Sequence, residues 1–228
     1  MKTIRHGIAT TFAAGALGLC AIPAHSALIT NASGISSPTV IDFSDKTQQF
    51  TFGPTQVGGL VGRDVTFTAS GPSGGFSYDG YGLADNGTWG SGMTYAFIDN
   101  GLGSSIRFTF NDGLAAAVGG FVNYAICGNN IGCSSGNFVI RALDSGLNVL
   151  EQYDISQLAP ISTPSGLNQG EFRGIARGTA DIAAFELVGG VGVIDNLTFN
   201  SQSVPEPATL ALLGLGLAGL GFARRRKA

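Results

Sequence analysis

Across residues 27–203 apolar and polar positions alternate with period two, and no helix-period stripe of useful length interrupts them. Val65, Phe67 and Ala69 alternate with Asp64, Thr66 and Thr68, and Ile106, Phe108 and Phe110 alternate with Ser105, Arg107 and Thr109. Further strands are predicted over 40–43, 49–52, 94–98, 120–126, 137–143, 148–153, 182–188 and 193–199. Asp144-Ser145-Gly146 lies between two of the strongest, so 138–153 predicts a hairpin with glycine supplying positive φ at the turn. About ten short strands separated by Gly, Asn, Asp and Ser clusters predict an all-β, antiparallel sandwich or barrel. The glycine-rich stretch 70–92 reads as its most loop-rich part.

The two ends follow different rules. Lys2, Arg5 and His6 precede an apolar run over 8–22, and Pro23 ends it. Ala24-His25-Ser26-Ala27 then places small residues around a cut after Ser26. Basic, apolar and small-residue parts in that order predict a cleaved secretory signal peptide over 1–26, helical while it is intact. At the other end Val204-Pro205-Glu206-Pro207 leads into an uncharged run over 208–223, followed by Arg224-Arg225-Arg226-Lys227. At ~1.5 Å per residue that run covers about 24 Å as a helix, short of a ~30 Å hydrocarbon core. Snorkelling arginines extend it, which predicts one transmembrane helix over 208–223. The basic cluster stays cytoplasmic, placing 27–203 across the membrane.

Pro-Glu-Pro, a short Leu/Gly/Ala-rich span and an Arg-rich terminus over 204–228 together resemble the PEP-CTERM sorting signal of Gram-negative bacteria. The resemblance implies recognition by exosortase, a transpeptidase-like membrane enzyme. It further implies membrane anchoring first, then transfer of the domain to the cell surface or an exopolysaccharide matrix. Pro205, Glu206 and Pro207 are the positions it marks. Two prolines deny the backbone helical hydrogen bonds at the membrane surface, so this stretch stays extended and available to an enzyme.

Charge and composition narrow the chemistry of the central domain. Residues 27–203 hold six basic residues against fourteen acidic ones, a net charge of −8, which disfavours nucleic acid as a partner. Both histidines, His6 and His25, fall in the signal segment. A Ser-His-Asp or Cys-His nucleophile is therefore excluded, as is any zinc site needing imidazole. Cys127 and Cys133 are the only thiols of the mature chain; in an exported domain they predict a disulfide closing a short loop. Catalysis would have to rest on carboxylates, as in glycoside hydrolysis. Nothing in the spacing of Glu151, Glu171, Glu186 and the aspartates marks a facing pair.

Two binding candidates remain. Tyr78, Tyr81 and Trp89 cluster with Asp79, Asp85 and Asn86 in a glycine-rich stretch, the composition of a polar, aromatic glycan-binding loop; the same rings could instead pin an irregular loop to the sandwich. A second resemblance covers the domain. Val118-Gly119-Gly120-Phe121, the 144–147 turn, Glu171-Phe172-Arg173-Gly174-Ile175, Ala184-Phe185-Glu186-Leu187 and Ile194-Asp195-Asn196-Leu197-Thr198-Phe199 follow one another. That succession is similar to jelly-roll ectodomains and carbohydrate-binding modules, which bring first and last strands together near a structural calcium. The resemblance implies an oxygen-rich cation site on Asp42 and Asp195; the residues alone read first as solvated positions on outward strand faces. The expectation is a non-catalytic surface or matrix protein that binds glycan, the alternatives being a carboxylate-dependent glycan-processing enzyme and a purely structural matrix component.

Overall fold

The computed structural model describes residues 26–70, 74–78, 83, 94–98, 104–124, 137–158 and 171–203. Outside them lie the signal segment up to residue 25, Cys127 and Cys133, Tyr81 and Trp89, Pro205, Glu206 and Pro207, and the 208–223 run.

The chain order is β1 (Ala27–Ile29), β2 (Thr39–Ile41), β3 (Gln49–Phe50), β4 (Thr55–Gln56), β5 (Val65–Ser70), β6 (Gly74–Ser77) and β7 (Tyr95–Ile98). It continues with β8 (Ser105–Phe110), β9 (Gly113–Tyr124), β10 (Val139–Leu143), β11 (Val149–Asp154), β12 (Glu171–Ala176), β13 (Ala184–Val188) and β14 (Gly192–Ser203). Two antiparallel sheets result. The first has the order β1-β12-β9-β14-β7-β6-β3, with β2 also pairing β14; the second runs β11-β10-β13-β8-β5-β4. From β7 onward the chain alternates between sheets, doubling back within one only at the β10–β11 hairpin. Each crossing layer buries one face of its strands, and that is what the period-two pattern encodes.

The core lies between the sheets. Ile106, Phe108 and Phe110 point inward from β8 while Ser105, Arg107 and Thr109 point out. Phe67 and Phe108 pack at 5.7 Å, Phe67 and Phe76 at 4.8 Å, and Phe43 joins them against both Phe76 and Phe108. At the other end of the core Phe110 meets Phe199 at 4.6 Å. Offset and tilted ring pairs like these add to plain area burial.

The outer faces differ. On the second sheet one cross-strand row reads Gln152, Arg141, Glu186, Arg107 and Thr68 from β11 to β5, a polar surface. On the first sheet two small apolar clusters cover the outside: Leu83, Tyr95, Phe97, Val191 and Val193 near β7, and Ile29, Ile35, Ala117 and Phe172 near β12. Strands β9, β12 and β14 are therefore buried on both sides, and their sequences read as near-continuous apolar and small residues.

Several boundaries move. The strand predicted from residue 120 begins at Gly113, and the last strand extends to Ser203. Within the stretch read as loop, Gly74–Ser77 is a strand paired with both β3 and β7. At the β10–β11 turn the positive φ belongs to Leu147 (63°), not to Gly146. Asp144 sets that turn by accepting the Gly146 and Asn148 amides at 2.8 Å each. One helical turn, Ile155–Leu158, follows β11. Among the described residues no helix is long and apolar enough to cross a membrane.

Candidate functional site

The β3 edge of the first sheet carries exposed aromatic surface. Register pairs Phe50 with Gly75 and Gly75 with Phe97, so Phe50 stands on the outer face beside the Leu83 cluster. Its ring meets Phe97 edge-on at 5.3 Å and is still 63% exposed. Phe52, 58% exposed, follows two residues later, and Tyr78, 55% exposed, follows β6 directly. Asn123, wholly buried on β9, donates its Nδ2 to the Leu83 carbonyl at 2.8 Å and so ties Leu83 to the sheet. Of the predicted aromatic trio the structure places Tyr78 on the surface; Tyr81 and Trp89 lie outside the described residues. Phe50 and Phe52 escaped the sequence reading because alternating phenylalanines in a strand look like core. The end position of β3 in its sheet exposes Phe50, while Phe52 lies beyond β3, its carbonyl accepting the Ala69 N–H of β5 at 2.9 Å.

The pairing of β2 with β14 sets where Asp42 and Asp195 lie. β2 pairs with β14 through Ile41 and Leu197, which sets Asp42 just past the pairing and Asp195 two residues before it. Asp195 is fully buried, which corrects the reading of it as solvated. It sits at an irregularity of the β14–β9 ladder, where three steps along β14 match two along β9 between Asp195 and Thr198. Asn196, at φ 49°, absorbs the extra residue, and its backbone N–H donates to Asp195 Oδ1 at 2.7 Å. Asp42 Oδ1 accepts the Ser44 N–H at 3.1 Å and the Ser44 hydroxyl at 2.8 Å. Calcium takes six to eight oxygens. Among the described residues no group of three or more carboxylates, thiols or imidazoles gathers. The hydrogen bonds described for the two are local, within a bulge at Asp195 and a turn at Asp42.

Glu186 and Glu151 are engaged in ion pairs. Arg141 Nη1 reaches Glu186 at 3.3 Å, and Ser105 donates its hydroxyl to the same carboxylate at 3.1 Å. Arg177 spans Glu151 at 3.4 Å and Asp181 at 2.7 Å. Asp181 and, more weakly, Glu151 hold the Arg177 pKa above its ordinary value, against the opposing effect of burial. Arg173, on β12, is pushed the other way, chiefly by burial.

The remaining candidate is in the chain path. β14, the central strand of the first sheet, pairs with β9 as far as Ser203 opposite Gly113. Residues 203–227 match the PEP-CTERM protein-sorting motif, so the matched region begins on the last residue of the strand. The chain carries a PEP-CTERM sorting signal. That PEP-CTERM signal marks a protein for export and membrane-associated sorting in bacteria, through processing by exosortase, a membrane enzyme. No curated protein matches the chain. Solved structures similar to it include a mutant lectin binding domain of Lectinolysin complexed with Lewis b, at 12% identity and a TM-score of 0.26, over 62% of this chain and 94% of that one. At that depth the likeness fixes neither fold nor ligand.

Proposed function

We propose that this PEP-CTERM protein is a non-catalytic exported module of a Gram-negative envelope. It is held first by the 208–223 helix, then delivered by exosortase to the cell surface or the exopolysaccharide matrix. The observation that carries the reading is the sorting signal following β14 directly, with Pro205, Glu206 and Pro207 ahead of the apolar span and the arginines. Mass spectrometry of the mature carboxyl terminus in cells containing exosortase tests it. A terminus near Pro207 is expected, and an intact Arg-rich tail in the mature protein overturns it.

For the domain itself we infer glycan binding on the β3 edge. The strand order supports a jelly roll: β12-β9-β14-β7 faces β11-β10-β13-β8, and β7 to β14 alternate between layers in the manner of that fold. Phe50, Phe52 and Tyr78 offer flat apolar faces, with Tyr81 and Trp89 following in the next stretch of sequence. Stacking on a sugar's apolar face needs no charge complementarity, which suits a domain of net charge −8 and a neutral polysaccharide. The Cys127–Cys133 disulfide belongs to the same exported state, and unreduced mass analysis of the mature protein reads it directly.

A further inference from the structure

Resting on the sorting reading, we infer that the end of β14 is part of what exosortase must grip, and that Ser201–Ser203 has to leave the sheet before the signal can be cut. The matched motif starts at Ser203, and Pro205 is only two residues beyond it. At ~3.3–3.6 Å per residue two residues reach about 7 Å. A wall of protein packed against an extended peptide needs about 10 Å, the spacing of layers packed face to face. With Ser203 held opposite Gly113, an enzyme closing around Val204-Pro205-Glu206-Pro207 collides with β9 and the β8–β9 turn.

The strand is built to release that length and no more. After Asn200 the β14–β9 register shifts, leaving three pairs beyond the irregularity: Ser201 with Ala115, Gln202 with Leu114 and Ser203 with Gly113. The β2 partner on the other side of β14 stops at Phe199 opposite Thr39. Among the described residues the terminal three are thus paired on β9 alone, the kind of strand end that opens at low free energy. Asn200 marks the stop: its side-chain carbonyl accepts the Ala117 N–H at 2.7 Å and anchors the strand just before the releasable part. Freeing three residues lengthens the reach to Pro205 from two residues to five, about 17 Å. The domain core, anchored from Phe199 inward, stays folded throughout.

The full chain expressed together with an exosortase-type enzyme provides the test, with the mature carboxyl terminus followed over time by mass spectrometry. Inserting a flexible Gly/Ser stretch of about six residues between Ser203 and Val204 is expected to raise the cleavage rate several-fold and leave the Tm of the domain unchanged. Leu114→Cys with Gln202→Cys, oxidised, is expected to stay uncut and to be cut after reduction. Equal rates for native and inserted chains, or native-rate cleavage of the oxidised pair, overturn the proposal. Pro205→Ala separates this proposal from the sorting reading. If cleavage of the inserted chain still depends on Pro205 but the rate difference vanishes, strand release alone falls; if cleavage ignores Pro205, the sorting reading falls with it.

Discussion

Arg63 and Asp112 form a two-pronged ion pair, Nε to Oδ2 at 2.6 Å and Nη2 to Oδ1 at 2.8 Å, that joins the β4–β5 connection to the β8–β9 turn. The guanidinium lies 5.5 Å from the centre of the Phe199 ring and closes that end of the core. The hydrogen bond from Arg63 holds the Asp112 carboxyl below the usual carboxylate range, helped by the Asp64 amide and opposed by slight burial. A lowered folded pKa means that the pair stabilises fully above the unfolded aspartate pKa of about 4 and loses that contribution as pH falls through the folded value. Because both groups remain partly exposed, the contribution is about 1 kcal/mol. Arg63→Ala is expected to lower the Tm by about 2–4 °C at neutral pH. The deficit should shrink in melts taken at a pH low enough to protonate Asp112.

The bulge at Asp195-Asn196 gives a second expectation, because a left-handed asparagine tolerates glycine and resists branching. Asn196→Gly should leave stability within a few tenths of a kcal/mol of the parent, whereas Asn196→Val should cost about 1–3 kcal/mol. Asp195→Ala removes the acceptor of the Asn196 N–H at a fully buried position and should also cost about 1–3 kcal/mol. Urea unfolding of the three variants checks the order.

Gly119 on β9 faces Gly174 on β12, and the pair lets two backbones approach where side chains would not fit. A methyl group on Gly174 would meet the Val118 carbonyl oxygen at 2.5 Å and the Gly119 Cα at 2.9 Å, both backbone atoms that cannot swing aside. Gly174→Ala is therefore expected to destabilise by about 1–3 kcal/mol through overpacking. A glycine prized only for flexibility would instead gain stability from alanine, so the sign of the shift in a thermal melt decides which role it has.

The strands of the second sheet, apart from the two-residue β4, were legible because one face is wet and the other dry. Ile106, Phe108 and Phe110 against Ser105, Arg107 and Thr109 encode β8 directly, and Asp144 with its neighbours encodes the β10–β11 turn. The first sheet was harder to read. Gly113–Val118 contains three alanines in a row and pairs along β14, with β12 joining from Ala117, so its strand character comes from partners and not from propensity. Gly74–Ser77 reads as loop for the same reason, since glycine there permits close strand packing that only the neighbours reveal. Of the candidate sites, the sorting signal was legible in full because it is a linear pattern. Asp195 was visible as an oddity in a strand, but its burial depends on a two-sided sheet that no local pattern announces.

The exposed rings at the β3 edge carry the last prediction. Phe50, Phe52 and Tyr78 contribute little to the core, so Phe52→Ala and Tyr78→Ala should change stability by less than about 0.5 kcal/mol. Phe50→Ala should cost somewhat more, because its ring also covers Phe97. If the edge is a sugar platform, each truncation should weaken retention on a neutral polysaccharide in affinity electrophoresis by about 1 kcal/mol, some fivefold in Kd. Stacking is not screened by ions, so retention should hold when salt is raised from low to physiological strength, whereas charge-driven retention would fade. Trp89→Ala extends the comparison to the predicted loop. Retention lost only in the Trp89 variant would move the platform off the β3 edge and into that loop. Retention unchanged in all four variants, with the fold intact, would remove glycan binding through these rings.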